Sequence, residues 1–83
     1  MVKEEQEELF KLTDIYAAAF CSLSGFSFTL QKRNGKVLFC FKSSPDLYKT
    51  LQKFNEGSPV DVSEFTQEIK RLRALMYEEK GRE

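Results

Sequence analysis

The sequence contains no histidine, and that absence excludes more chemistry than any motif present suggests. Histidine is the commonest general base at neutral pH, the usual activator of a serine or cysteine nucleophile, and a frequent zinc ligand. Cysteine is scarce as well. Cys21 and Cys40 are the only two, their spacing fits no metal or redox motif, and neither stands at a helix start where a dipole would favour the thiolate. Small secreted domains held by disulfides normally carry more. Both are read as reduced, partly buried thiols that fill gaps as small hydrophobes in a cytoplasmic protein. The four glycines stand singly, so there is no glycine-rich loop to cradle a phosphate. Net charge is missing too: 13 basic and 13 acidic side chains cancel, leaving no global field to draw in DNA or an anionic membrane. The apolar run at residues 16–21 is far below the ~20 residues that span a bilayer. The acidic opening MVKEEQEE does not fit the basic start of a secretory signal.

What is present describes a small α+β domain. A chain of 83 residues has room for one core and buries only about 60% of its unfolded surface. An apolar fraction of 41% with eight Phe is enough to build that core. Charge is distributed unevenly. Residues 1–14 set Lys3 and Lys11 against Glu4, Glu5, Glu7, Glu8 and Asp14, whereas residues 26–43 hold Lys32, Arg33, Lys36 and Lys42 and no acid.

Helix signals recur three times. Thr13 and Asp14 supply a cap before a helix over about residues 13–23, whose face is Ile15, Tyr16, Ala19, Phe20 and Leu23, with Gly25 just past its end. Ala17 to Ala19 favour helix and let a neighbour approach closely. Ahead of it, "LFKL" is either extended or a continuation of that helix back to about Lys3; the Thr-Asp cap favours the later start. Ser44-Pro45-Asp46 opens a second helix with the stripe Leu47, Tyr48, Leu51, Phe54 and a stop at Gly57. Asp61-Val-Ser-Glu64 has capping-box spacing and opens a third, with Val62, Phe65, Ile69, Leu72 and Met76 in a 3-4-3-4 stripe.

Between the first two helices lies a hairpin. Phe26, Phe28 and Leu30 alternate with Ser27, Thr29 and Gln31, and Asn34-Gly35 suits a type I′ turn. That turn sets Arg33 opposite Lys36, Leu30 opposite Phe39 and Phe28 opposite Phe41. The buried face is then Phe26, Phe28, Leu30, Val37, Phe39 and Phe41, and Leu38, Cys40 and Lys42 lie on the other. The expected order is α-β-β-α-α, an antiparallel β-hairpin packed on three helices, with residues 1–12 as an acidic lead-in, 13–80 as the domain and 81–83 as a frayed tail.

No catalytic constellation emerges. Asp14, Asp46, Asp61 and Glu64 are each explained by a helix start, and a hydrolase would need two carboxylates converging in a pocket. The expectation is a non-enzymatic protein with no metal, cofactor or small-molecule substrate. Two binding roles compete. The favoured one is an accessory protein acting through protein contacts or as a homodimer, with Leu38 and Cys40 on the uncovered sheet face and Leu75 and Tyr77 beside the third helix stripe as interface candidates. That stripe covers only about two heptads, so a coiled-coil seam is the weaker use for it. The alternative is weak nucleic-acid binding by Lys32, Arg33 and Lys36 at the hairpin tip with Lys70, Arg71 and Arg73 on the third helix.

The segments "TDIYAAAFCSLSGF", "VLFCFKSSPDL" and "FNEGSPVDVSEFTQEIKRLRALMY" resemble a family of small domains of unassigned function found in bacteria and their phages. The shared features are an Asp-aliphatic-Tyr helix start, a glycine after that helix and a Phe-x-Phe second strand. A Ser-Pro helix start, an Asn-x-Gly stop, a Val-Asp entry and a final helix closing with Tyr complete the match, over about residues 12–77. The resemblance implies the same α+β plan and a bacterial, phage or mobile-element origin. It implies no activity.

Overall fold

The computed structural model describes residues 8–81. The elements run β1 (Leu9–Leu12), α1 (Ile15–Leu23), β2 (Phe28–Arg33), β3 (Lys36–Lys42), α2 (Pro45–Glu56) and α3 (Val62–Lys80). Two strands were expected and three form. The extra one is "LFKL", which pairs antiparallel with β3, so the sheet order is β1-β3-β2. Alternation explains it: Phe10 and Leu12 face the core while Leu9 and Lys11 face away, a period of two that a four-residue segment shares with a helical stripe. A helical continuation is blocked by Asp14, whose backbone is extended (φ −80°, ψ 110°) and whose Oδ1 accepts from the Tyr16 N–H at 2.9 Å and from the Ala17 N–H at 3.4 Å. The part of that alternative reaching back to Lys3 lies outside the described residues.

The hairpin has the expected register, with Arg33 opposite Lys36, Leu30 opposite Phe39 and Phe28 opposite Phe41. Asn34 and Gly35 both take positive φ, 54° and 79°, as a type I′ turn requires. With β1 added, the inner face carries two cross-strand rows: Phe10–Phe41–Phe28 and Leu12–Phe39–Leu30. Phe28 meets Phe39 and Phe41 at ring-centroid distances of 5.5 Å, a separation suited to edge-on aromatic packing.

The three helices lie against that inner face. Phe39, Phe41, Leu47, Leu72 and Cys21 are fully enclosed, each large side chain contributing roughly 1.5–3 kcal/mol by its removal from water. α1 lies between α2 and α3 and is buried along Ala17–Ala18–Ala19–Phe20–Cys21, whereas Tyr16 and Leu23, expected on its core face, are exposed. The small alanine side chains are what allow helices on both sides to approach α1. On α3, Ile69 and Leu72 are buried and Phe65 and Met76 pack against the core. This places Phe65, Ile69, Leu72 and Met76 of the stripe in the fold's own core. Val62, the stripe's first member, is 77% exposed because it begins the helix beyond the core's reach. Ser44 and Asp61 cap α2 and α3 as their sequence predicts, at 3.1 and 2.9 Å to Leu47 N–H and Glu64 N–H. Gly57 closes α2 in the left-handed conformation that glycine favours.

Candidate functional site

Two surfaces remain after the core is accounted for. The first is the outer face of the sheet, which no helix among the described residues covers. Strand parity puts Leu9 and Lys11 of β1, Lys36, Leu38, Cys40 and Lys42 of β3, and Thr29, Gln31 and Arg33 of β2 on it. Four of these are cations and none is an acid, because the three strands contain no carboxylate. Leu38, on the central strand, is half-buried, and Leu9, 48% exposed at the edge, borders a shallow recess of about 200 Å³ with Thr29, Cys40 and Lys42. Cys40 sits on the central strand between Lys11 and Thr29, and those neighbours leave it only 3% exposed. The two sheet-face interface candidates thus differ: Leu38 is partly reachable, while Cys40 forms the floor; Leu9, exposed at the edge, is not one of them.

The second surface is a cleft where the hairpin turn, the entry to α1 and the end of α3 meet. Two cavities of about 210 and 180 Å³ lie side by side there, sharing Thr13, Met76 and Lys80. Lys36 borders the first, and Arg73 and Tyr77 border the second. Lys32 reaches the same place. Its Nζ donates to the Lys80 carbonyl at 3.1 Å, setting a cation on the carbonyl end of α3, where the helix dipole favours it.

The six basic candidates therefore divide. Lys32, Lys36 and Arg73 converge at this cleft, and Arg33 is exposed on the turn opposite Lys36. Lys70 is exposed on α3, away from both cavities. Arg71 is directed elsewhere: two residues before Arg73, it lies about 160° away around the helix. Its Nη2 donates to Glu68 Oε2 at 2.6 Å and to Ser22 Oγ at 3.4 Å, and its Nε donates to Glu68 Oε1 at 3.1 Å. Ser22 Oγ in turn donates to Glu68 Oε2 at 2.6 Å, so the cluster ties α1 to α3. The Arg71 hydrogen bonds hold the Glu68 carboxyl below its ordinary range; burial opposes this, and the Ser22 hydroxyl and the Arg71 charge add to the lowering. Of the helix candidates for protein contact, Leu75 is half-buried against the core, whereas Tyr77 is 69% exposed.

Sequence reasoning missed Lys11 and Thr13 as site residues. Lys11 belongs to the sheet face only once β1 is a strand, and the alternation in "LFKL" was the signal for it. Thr13 gains its place from the meeting of three elements distant in sequence. Cys21 is buried in the core, and desolvation pushes its thiol up to about 11. Among the described residues no group of three or more potential ligands is placed to hold a metal, and no helix is long and apolar enough to cross a membrane.

Fold and surfaces together define a small α+β domain whose three-stranded antiparallel sheet is covered by helices on one face. The chain belongs to the family described as Domain of unknown function (DUF5659), whose model matches residues 7–78. This agrees with the resemblance to a family of unassigned function. No curated protein and no solved structure matches the chain.

Proposed function

We infer that this protein is a non-enzymatic interaction module that docks an acidic protein surface on the open face of its sheet. One observation carries the reading: an outer sheet face to which the three strands bring Lys11, Arg33, Lys36 and Lys42 and no carboxylate, with Leu38 on the central strand and the exposed Leu9 at one edge. Complementary charge on the partner would set orientation and speed encounter, and the two leucines would supply apolar area that leaves water. The test is site-specific photo-crosslinking in the cell that carries the protein. A crosslinking side chain at Leu38 is expected to capture a protein, and K11E to abolish the capture. The same side chain at Gln67, on the exposed side of α3, is expected to capture nothing. Equal capture from both positions, or capture that survives K11E, would sink the reading.

A second reading is nucleic-acid contact, favoured by the convergence of Lys32, Lys36 and Arg73 at one end of the molecule. Phosphate contacts of this kind give binding that falls steeply with salt. Retention of the protein on duplex DNA that collapses at moderate salt, and is lost in R33E/K36E, is expected on this reading; absence of retention at low salt removes it.

A further inference from the structure

We propose that the cleft between the hairpin turn, the entry to α1 and the last turns of α3 binds a phosphomonoester that carries one compact ring. The proposal is independent of docking on the open sheet face, and it narrows the nucleic-acid reading from a run of backbone phosphates to a single terminal phosphate.

The charge of the cleft sets the ligand's sign. Among the described residues Lys36, Arg73 and Lys80 border the paired cavities and no carboxylate does. Three acids adjoin lining residues in sequence: Asp14, whose carboxylate is turned into the α1 backbone by accepting from Tyr16 and Ala17 N–H, and Glu78 and Glu79 in the last turn of α3, which line neither cavity. The carbonyl end of α3 opposes an anion with roughly half a unit of negative charge. Lys32, bonded to the Lys80 carbonyl, offsets part of that, and three full cations outweigh what is left. A phosphomonoester brings about −1.5 to −2 charge near neutral pH and three acceptor oxygens. The guanidinium of Arg73 presents a planar fork suited to two of those oxygens, and lysine ammonium groups match the remaining charge.

The size and lining of the two cavities set the rest of the ligand. Each is smaller than the ~300 Å³ at which drug-sized pockets begin, which leaves no place for a large cofactor. The phosphate suits the junction of the two, where the shared Lys80 lies between Lys36 of the first and Arg73 of the second. The second has Ile15 and Met76 as apolar lining and the exposed Tyr77 ring at its rim, beside Arg73. A flat ring stacks on such a pair with little demand for particular hydrogen bonds. The same chemistry occurs in a free nucleoside monophosphate and at the phosphorylated end of a nucleic-acid strand.

The test is a titration of the isotope-labelled full chain, followed through its backbone amides, with uridine monophosphate, uridine and inorganic phosphate in parallel. Saturating shifts at Thr13, Lys36, Arg73 and Tyr77 are expected with the monophosphate, weaker ones with inorganic phosphate and none with uridine. K36Q/R73Q is expected to weaken binding by at least about tenfold, with amides outside the cleft unmoved as proof that it folds. Terminally phosphorylated and unphosphorylated copies of one oligodeoxynucleotide then separate the sources. Preference for the phosphorylated copy identifies a strand end, and binding of the mononucleotide alone identifies a free nucleotide; either supports the proposal. No saturating shift from the monophosphate, shifts that uridine reproduces, or an unaffected double variant would overturn it. Inorganic phosphate binding as tightly as the monophosphate would overturn the role given to the ring. Salt-sensitive retention on duplex DNA that persists in K36Q/R73Q would leave the nucleic-acid reading standing while this one fails.

Discussion

The two faces of the sheet are built from the same strands and differ only by one step along each chain. The inner face sets Phe10, Phe28, Phe39 and Phe41 in contact with three helices; the outer sets Lys11, Thr29 and Leu38 toward solvent around a covered Cys40. The contrast shows how period-two alternation separates two tasks within a minimal fold. Stability is concentrated on one side, which frees the other to vary in charge and shape at little cost to folding.

The largest expected effect breaks this contrast most directly. F41A, in the middle of an inner row, should destabilise the domain by about 3–5 kcal/mol through lost burial and a residual cavity. T29A, facing outward on the neighbouring strand, should stay within about 0.5 kcal/mol. Urea denaturation of the two variants makes the comparison, and similar losses would refute it. The two thiols sharpen it next. Cys21 lies under the helices and its pKa is raised from 9.0 to about 11 by burial. The unfolded chain therefore loses that proton first as pH rises, and stability falls across the window from 9.0 to about 11. C21A should remove that slope, and in the native protein iodoacetamide should label Cys40 before Cys21.

Smaller effects come from contacts that hold the helical layer in place. R71A should cost about 1 kcal/mol by releasing Glu68 and Ser22. Because the Glu68 carboxyl titrates below its ordinary 4.5 in the folded state, its contribution is present above that value and is lost as pH falls through the lowered one. E68Q should flatten the acid limb of the stability profile, and an unchanged limb would place the acid sensitivity elsewhere. The smallest effect is K32A, about 0.5 kcal/mol from the carbonyl end of α3, seen as faster amide exchange in the helix's last turn.

Local signals in the sequence were read with most success where a few neighbouring residues decide the structure. The turn at Asn34-Gly35 set the hairpin register, and Ser44 and Asp61 marked two helix starts. Four residues of "LFKL" are too few to distinguish a period of two from a helical stripe, so its pairing with β3 had to come from the sheet. Tyr16 and Leu23 are spaced as core residues of α1, but the helix is buried along its alanines because neighbours flank it on both sides. The candidate sites were legible only as residue types. That Lys36 and Arg73 share a cleft, while Arg71 turns to Ser22 across 49 positions of chain, depends on tertiary packing that no local pattern records.

The position of β1 has a consequence for how the chain behaves if shortened. β3 contains "VLFCF", a run of strongly β-forming residues without charge or proline, and the run's last three residues, Phe39 to Phe41, are paired on both sides only because residues 9–12 lie along them. A chain beginning at Thr13 would keep all three helices and the hairpin, yet would bare the backbone amides and carbonyls of that run along one flank. Such a flank is a template for strand addition by another copy. The four-residue strand is thus a guard against aggregation, its outward Lys11 placing a charge where a foreign strand would otherwise align.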